Sequence, residues 1–452
     1  MSRTFKGGVH PPYNKELTSA SPIETPPVAD ILVFPLSQHI GKVCTPLVNI
    51  GDKVKVGQKI ADSDAFVAAP IHSSVSGEVI AIEPRNCTNG SKVASIVIQN
   101  DHLDTKTDEI ITVENKSHEE LTPQEIIKVA KNAGIVGMGG ATFPTYVKLQ
   151  SALDKGIDTL IINGAECEPY ITCDHRAMIE YPRPIAGGIK LIAQCIKPKN
   201  IFVAIEDNKE DAIATMRAVL TGTNIQVVEL KSKFPQGGEK QLIKAITRIE
   251  TPPGKLPVDV GCAVFNVDTC AALFRAANNN LPVIQRVVTV SGTCINSPKN
   301  LLVRIGTPVS ELFEYCGGFK EEPKKIVVGG PMMGLAQHSM DIPVVKGFSA
   351  VLAFSKNDDD YVKNPTCIRC GRCVSACPVR LMPNYINMFV QKDELDKCEQ
   401  YNALDCIECG SCSFICPARL YLTQNIRLAK LKINEKNQLE KIMKAKEAGK
   451  IE

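Results

Sequence analysis

The 452-residue sequence contains no tryptophan, and aromatic residues together make up only 5% of it. Aromatic platforms on which single-stranded bases could stack are therefore not expected. Neither sign of charge is in excess, because 52 Lys and Arg stand against 49 Asp and Glu, for a formal net charge of +3. A basic nucleic-acid-binding surface is not expected either, and we predict no nucleic-acid partner.

Long apolar segments are also missing. The sequence has no run of about 18 apolar residues, the length that a membrane-spanning helix needs. The N-terminal residues MSRTFKGGVHPP lack the apolar core of a signal peptide. Ten of the 18 cysteines are scattered without a repeating spacing, unlike those of a secreted disulfide scaffold. We therefore expect a soluble protein of a reducing compartment, which would reach a membrane only through partners.

Cysteine is abundant, with 18 residues. Eight of them form two runs of the same spacing, CxxCxxCxxxCP: Cys367, Cys370, Cys373 and Cys377, then Cys406, Cys409, Cys412 and Cys416. In bacterial two-cluster ferredoxins with this spacing, the fourth cysteine of each run ligates the other cluster. We predict one [4Fe–4S] cluster on Cys367, Cys370, Cys373 and Cys416, and another on Cys406, Cys409, Cys412 and Cys377. Structural zinc is the alternative, but a zinc ion needs four ligands and gives no reason for the duplicated run.

The N-terminal part of the chain contains many prolines and then short strands. Residues 1–28 predict an extended arm, and residues 29–100 predict a small all-β module with glycines between its strands. The module resembles the barrel-sandwich hammerhead of biotinyl and lipoyl domains. Ala68, Ala69 and Pro70 occupy the region where those domains carry their modified lysine. We therefore expect a structural module and not a swinging-arm carrier.

The remainder divides into a linker and four further units. Residues 101–121 predict the linker, and alternating helices and strands over 122–285 predict an α/β domain with a mostly parallel sheet. Residues 286–350 predict a small β-rich unit with one short helix. Residues 351–422 hold the cysteine runs, and 423–452 predict a Lys-rich helix. Its basic face is expected to be solvated, with anionic lipid headgroups or an acidic partner as the alternative.

Four loops of the α/β domain carry glycines, amides and carboxylates. The first, Gly137–Lys148, superficially matches a dinucleotide fingerprint, but Thr142 stands at the third glycine and a helix precedes it, so a plain tight turn is the alternative. The others are Asn163–Pro169, Phe234–Lys240 and Phe265–Thr269. Helix N-termini that follow such loops suit phosphate, and Lys148 adds positive charge.

These loops resemble the FMN- and NADH-binding loops of the flavoprotein subunit of respiratory complex I. The GGVHPP segment at residues 7–12, the β-module and the paired cysteine runs further resemble the C subunits of Rnf complexes, over nearly the whole chain. The resemblance implies a multidomain α/β plus β fold. Its parts are a barrel-sandwich module, an α/β FMN/NADH-binding domain, a β-grasp (SLBB-like) unit and a helical dicluster ferredoxin-like domain.

The resemblance also implies binding residues. It places FMN on Gly137, Gly139, Gly140, Lys148, Asn163, Glu166, Gly238, Glu239 and Asn266. Phe143 would stack on the nicotinamide nucleotide and Glu168 would hydrogen-bond it; core packing and a solvated loop carboxylate are the respective alternatives. Three positions depart from the complex I pattern: Met138 stands in place of an Arg, Ala165 in place of an Asp and Lys240 in place of a Glu.

The implied function is that of a peripheral subunit of a membrane ferredoxin:NAD⁺ oxidoreductase. Such a subunit exchanges hydride between NAD(H) and FMN and passes single electrons through two [4Fe–4S] clusters, while other subunits translocate ions. The implied partners are the membrane and iron–sulfur subunits of an Rnf complex and, indirectly, ferredoxin, at the cytoplasmic face of the cell membrane. A microcompartment cobalamin reductase and a docking scaffold with a vestigial flavin site are the alternatives. The N-terminal module argues against the first, and the intact glycine loop against the second.

Overall fold

The computed structural model describes residues 3–109, 111–112, 116–358 and 362–447. The first two residues of the predicted arm and the last five of the predicted C-terminal helix lie outside this part of the chain. The described residues form four sheets and a C-terminal helical domain. None of their helices is both long and apolar enough to cross a bilayer.

The described part of the arm, residues 3–28, contains the short strand β1 (Ile23–Glu24) and leads into the all-β module. The module's strands are β2 (Ile31–Pro35), β3 (Thr45–Pro46), β4 (Lys53–Val54), β5 (Lys59–Asp62), β6 (Ile71–His72), β7 (Gly77–Asn86) and β8 (Lys92–Asn100). They form a four-stranded sheet, β2-β8-β7-β4, and a three-stranded sheet, β3-β5-β6.

The tip region of the module is covered by the rest of the chain. Ala68, Ala69 and Pro70 are buried. The Lys346 ammonium donates hydrogen bonds to the Pro70 carbonyl at 2.5 Å and to the Gly134 carbonyl at 2.7 Å. A swinging carrier needs an exposed tip, so this burial agrees with a structural module.

The α/β domain contains seven helices and a four-stranded parallel sheet. The helices are α1 (Pro123–Asn132), α2 (Thr145–Lys155), α3 (Cys173–Glu180), α4 (Pro182–Ile196), α5 (Glu210–Val219), α6 (Glu239–Thr247) and α7 (Val267–Asn279). The strands are β9 (Thr159–Gly164), β10 (Asn200–Glu206), β11 (Ile225–Leu230) and β12 (Cys262–Asn266), in the order β11-β10-β9-β12. The start of α1 is a capping box of Thr122 and Glu125.

The β-grasp unit extends beyond its predicted boundary at residue 350. Its elements are β13 (Gln285–Ser291), β14 (Lys299–Arg304), α8 (Val309–Tyr315), β15 (Lys325–Val328), β16 (Leu335–Gln337) and β17 (Ala350–Phe354). Strand β17 pairs with both β13 and β15, so the unit ends at Phe354. Strand β1 of the arm pairs in parallel with β14 and forms one edge of the sheet.

The cysteine runs lie in a helical domain. Its helices are α9 (Arg372–Ala376), α10 (Pro383–Gln391), α11 (Leu395–Gln400), α12 (Ser411–Phe414) and α13 (Leu422–Glu447). Ile386 and Phe389 of α10 share a buried cluster with Ile426 and Ile433 of α13. The basic residues of α13 are partly neutralised inside the chain, by pairs that join Arg427 and Lys430 to Glu408, Lys432 to Asp393 and Lys436 to Asp396.

Candidate redox site

The loops expected to bind a flavin meet where the order of the parallel sheet reverses. From β9 the chain continues to β10 and β11 on one side, and it returns to place β12 on the other side of β9. Asn163 and Asn266, near the carboxyl ends of β9 and β12, are paired in register. Parallel α/β sheets bind ligands in the crevice at such a switch point. The two asparagines therefore mark the base of the candidate site.

The glycine loop lies over this base. A Cβ atom placed on Gly139 would be 3.5 Å from the Asn266 Cβ atom. Gly140 has a φ of +106°, and a Cβ placed on it would have no protein atom within 4 Å. Both glycines are exposed. The loop thus presents bare backbone to open space, which fits the close approach of a flat, phosphate-bearing group such as FMN.

Contacts on both sides of Met138 hold the loop in shape. The Met138 N–H donates to the Thr269 hydroxyl at 2.9 Å, and the Met138 carbonyl accepts from Arg286 Nη2 at 3.0 Å. Arg286 comes from β13 and is fully buried, with its Nε atom 3.5 Å from Asp268 Oδ2. The β-grasp unit therefore fixes the glycine loop of the neighbouring domain. Arg286 was not predicted from the sequence, because no local pattern identifies a buried arginine.

Two helix N-termini without side-chain caps flank the loop. These are the starts of α2 and α6, whose N-cap residues are Pro144 and Gly238. Lys148 in the first turn of α2 contacts Glu239, the first residue of α6, with 2.6 Å between Nζ and Oε1. Uncapped N–H groups beside a lysine are a favourable environment for a phosphate.

The side chains of Asn163 and Glu166 are engaged within the domain. The Asn163 amide donates to the Gly237 carbonyl at 3.0 Å. The Glu166 carboxylate accepts the backbone N–H groups of Asp174, at 2.6 Å, and His175, at 3.2 Å, at the start of α3. Sequence analysis did not foresee these partners. They tie the loop to its surroundings, and the flavin contacts expected of both side chains stay predictions.

Asp174 is a further acidic residue of the site that sequence analysis did not identify. Its carboxylate accepts a hydrogen bond from the Asn266 amide at 2.6 Å. Burial raises the pKa of Asp174 to about 8, and the nearby carboxylates of Glu166 and Asp268 contribute to the rise. Asp174 therefore keeps its proton to higher pH than an exposed aspartate does, beside the base of the candidate site.

The two residues assigned to the nicotinamide nucleotide lie in different environments. Phe143 is half-buried and packs against the main hydrophobic core. The Glu168 carboxylate accepts the N–H groups of Met332, at 3.1 Å, and Met333, at 2.9 Å, from the loop between β15 and β16. Burial raises the pKa of Glu168 to about 7, although these two hydrogen bonds oppose the shift. A carboxylate has about four acceptor positions, so two of those on Glu168 remain for a ligand. The nucleotide contacts expected of Phe143 and Glu168 stay predictions.

The eight cysteines of the two runs line two cavities. Cys367, Cys370, Cys373 and Cys416 line the first cavity, and Cys377, Cys406, Cys409 and Cys412 line the second. Each cavity therefore combines three cysteines of one run with the last cysteine of the other, as the crossed arrangement requires. Four thiols around one space fit the ligand set of a [4Fe–4S] cluster. None of the eighteen cysteines forms a disulfide.

The two cavities differ in their exposure. Cys409, of the second cavity, belongs to a hydrophobic cluster that includes Cys167 and Phe234 of the α/β domain. At the first cavity, Cys367 and Cys370 are exposed, and the Ile368 side chain between them is 66% exposed. The second cavity thus lies against loops that are expected to bind a flavin, whereas two cysteines of the first cavity are exposed.

Four family models match the chain. They are the RnfC barrel sandwich hybrid domain over residues 3–103, the Nuo51 FMN-binding domain over 130–275, the SLBB domain over 287–336 and the 4Fe-4S dicluster domain over 366–420. These matches confirm the predicted fold class. Among solved structures, an air-oxidised NAD⁺-reducing [NiFe]-hydrogenase is similar, with a TM-score of 0.49 and 17% identity, over 64% of this chain and 55% of that chain.

Several curated proteins are similar to the chain along most of its length. The C subunit of the proton-translocating ferredoxin:NAD(+) oxidoreductase complex of Clostridium ljungdahlii is 48% identical, over 90% of this chain and 88% of that protein. The Na(+)-translocating counterpart of Acetobacterium woodii is 45% identical, over 95% and 97%. The C subunit of the ion-translocating oxidoreductase complex of Rhodobacter capsulatus is 43% identical, over 96% and 84%. The chain therefore belongs to the family of C subunits of ion-translocating (Rnf) oxidoreductase complexes.

Proposed function

We propose that this chain is the NAD(H)-oxidising or -reducing subunit of a ferredoxin:NAD⁺ oxidoreductase complex that translocates ions through other subunits. The observation that carries the proposal is the joint presence of the glycine loop at the sheet's switch point and two four-cysteine cavities, one of them packed against that domain. Bound FMN would exchange hydride with NAD(H), and [4Fe–4S] clusters would carry the electrons singly.

The chain's own residues divide the work of binding. The exposed backbone of Gly139 and Gly140 allows a flavin to approach closely, and the α2 and α6 N-termini with Lys148 provide donors and charge for its phosphate. The residues proposed to hold FMN are Gly137, Gly139, Gly140, Lys148, Asn163, Glu166, Gly238, Glu239 and Asn266. The nucleotide is proposed to contact Phe143 and Glu168.

The different exposure of the two cavities supports a different electron-transfer partner for each. We assign electron exchange with the flavin domain to the cluster of the second cavity, because Cys409 and Phe234 share one hydrophobic cluster. Exchange with another iron–sulfur subunit of the complex is assigned to the first cavity, where Cys367 and Cys370 are exposed. Such subunits would also hold this chain at the cytoplasmic face of the membrane, with ferredoxin as a more distant electron-transfer partner.

The test uses the full chain, loaded with iron, sulfide and FMN without oxygen. We expect stoichiometric FMN, about eight irons per chain as two cubane clusters require, and bleaching of the flavin absorbance on addition of NADH. A scaffold with a vestigial flavin site would bind iron, but FMN would separate from the protein on a desalting column. Such a result would reject the proposed function.

A further inference from the structure

The glycine-rich part of the N-terminal arm lies between the α/β domain and the second cavity. The Gly8 N–H donates to the Ala376 carbonyl at 2.8 Å. The next residue, Val9, exchanges two backbone hydrogen bonds with Phe234, at 2.8 and 2.9 Å. Ala376 directly precedes Cys377, which lines the second cavity. Consecutive residues of the arm therefore hydrogen-bond to the flavin-binding domain and to the backbone beside a cluster ligand.

Glycine is required at two positions of this segment. Gly7 and Gly8 have φ angles of +80° and +78°, a region that other residues rarely adopt. A Cβ atom on Gly7 would lie 2.7 Å from the carbonyl oxygen of Cys377, and one on Gly8 would lie 2.5 Å from that of Phe234. The arm is thus in close contact with both domains, one glycine against each.

The Val9 side chain also connects the two domains. Val9 is buried, with 4% of its surface exposed. It shares a hydrophobic cluster with Phe234 and Cys167 of the α/β domain and with Ala376 and Cys409 of the helical domain. The cluster extends from the loops of the candidate flavin site to a lining residue of the second cavity, and Val9 is the arm's contribution to it.

We propose that Gly7, Gly8 and Val9 form a positioning element that sets the placement of the second cavity's Cys377 loop against the flavin-binding domain, and with it the electronic coupling between the two centres. The part of this proposal that concerns electronic coupling rests on the proposed function. The placement of the Cys377 loop is a property of the chain's own contacts. It can therefore be tested without NADH.

The first variant is Gly7→Ala, with Gly90→Ala as its matched control. Gly90 has a φ of +81°, but a Cβ atom there would meet nothing within 4 Å. The control therefore carries the same backbone strain without the contact. After reduction with dithionite, we expect the electron paramagnetic resonance signal of the second-cavity cluster to shift in Gly7→Ala and to stay parental in Gly90→Ala. FMN content and flavin bleaching by NADH should stay parental in both, and electron transfer onward to the clusters should slow only in Gly7→Ala.

A second pair covers the case in which Gly7→Ala does not fold. Val9→Ala removes buried side-chain volume without backbone strain, and Val48→Ala makes the same change in the β-module, where Val48 is 7% exposed. We expect the cluster signal to shift and onward transfer to slow in Val9→Ala alone. Parental cluster signals and parental onward transfer in the folded arm variants would overturn the proposal. An unmodified protein whose flavin does not respond to NADH would instead refute the proposed function, while the dithionite spectra would still decide the role of the arm.

Discussion

Lys148 Nζ lies 2.6 Å from Glu239 Oε1, and this contact joins the first turns of two helices that both begin without a side-chain cap. Both side chains are partly exposed, so the pair by itself contributes little to stability. Its significance is positional, because it keeps the ammonium between the N-termini of α2 and α6. A phosphate that binds there would share the Lys148 ammonium with the Glu239 carboxylate.

Lys148→Gln should weaken FMN binding. Loss of a hydrogen bond to a charged group costs about 1.5–3 kcal/mol, or roughly 10- to 150-fold in the dissociation constant. The matched control is Lys155→Gln in the last turn of the same helix, where the lysine pairs with Asp259 at 2.5 Å. Fluorescence titration of apoprotein with FMN measures both variants. Equal affinities for the two would remove Lys148 from the site.

Gly139→Ala should weaken FMN binding and leave the fold intact. Gly139 does not have a positive φ, and an added methyl group would meet Asn266 at an ordinary 3.5 Å, so the chain itself tolerates it. A bound flavin would be crowded, with a cost of about 1–3 kcal/mol. Iron content and the thermal midpoint serve as internal controls. Gly140→Val is a poorer test, because its φ of +106° adds strain that is unrelated to the ligand. Parental FMN affinity of Gly139→Ala would contradict the assignment.

Cys377→Ser and Cys416→Ser should each perturb the cluster of the opposite run. Cys377 lines the cavity of the second run, and Cys416 lines that of the first. Cys398→Ser is the control, since Cys398 is buried and lines neither of these cavities. Electron paramagnetic resonance of the reduced proteins distinguishes the two clusters. Loss of the same-run cluster in either variant would show that ligation is not crossed.

Glu168→Gln should raise the Michaelis constant for NADH by about 5- to 150-fold, the equivalent of 1–3 kcal/mol for a lost hydrogen bond. FMN content should not change, because Glu168 is assigned to the nucleotide. The thermal midpoint should fall slightly, since the carboxylate also accepts the N–H groups of Met332 and Met333. Flavin bleaching across a range of NADH concentrations gives the constant. A lowered midpoint with an unchanged constant would leave Glu168 with a purely structural role.

The parts of the structure that sequence analysis predicted follow from local patterns. The capping box of Thr122 and Glu125 needs residues only three apart, and the crossed cysteine cavities follow from the spacing of each run. The segment Phe265–Thr269 was predicted to be a loop, but Phe265 and Asn266 end β12 and Val267 begins α7; the five residues of β12 are all buried and show no alternation. Short apolar runs of this kind do not reveal their secondary structure by periodicity.

The parts that were missed depend on contacts between distant residues. Arg286 reaches Met138 from another domain, and Gly8 reaches Ala376 across most of the chain. Strand β17 joins the β-grasp sheet after the twelve residues that follow β16, and nothing in the local sequence marks it as part of that sheet. The predicted boundary at residue 350 therefore falls at the first residue of β17. No periodicity or short motif specifies which surfaces will meet. These placements are decided by packing between domains.

The most direct test of the account is the order in which the redox centres respond to NADH. The loaded full chain is mixed with NADH without oxygen, frozen at intervals and examined by electron paramagnetic resonance, while flavin absorbance is followed in parallel. The second cavity packs against the flavin-binding domain, and Cys367 and Cys370 of the first cavity are exposed. We therefore expect flavin bleaching first, then the signal of the second-cavity cluster, and last the signal of the first-cavity cluster. Cluster signals that appear while the flavin stays oxidised, or that appear in the first cavity before the second, would contradict this expectation.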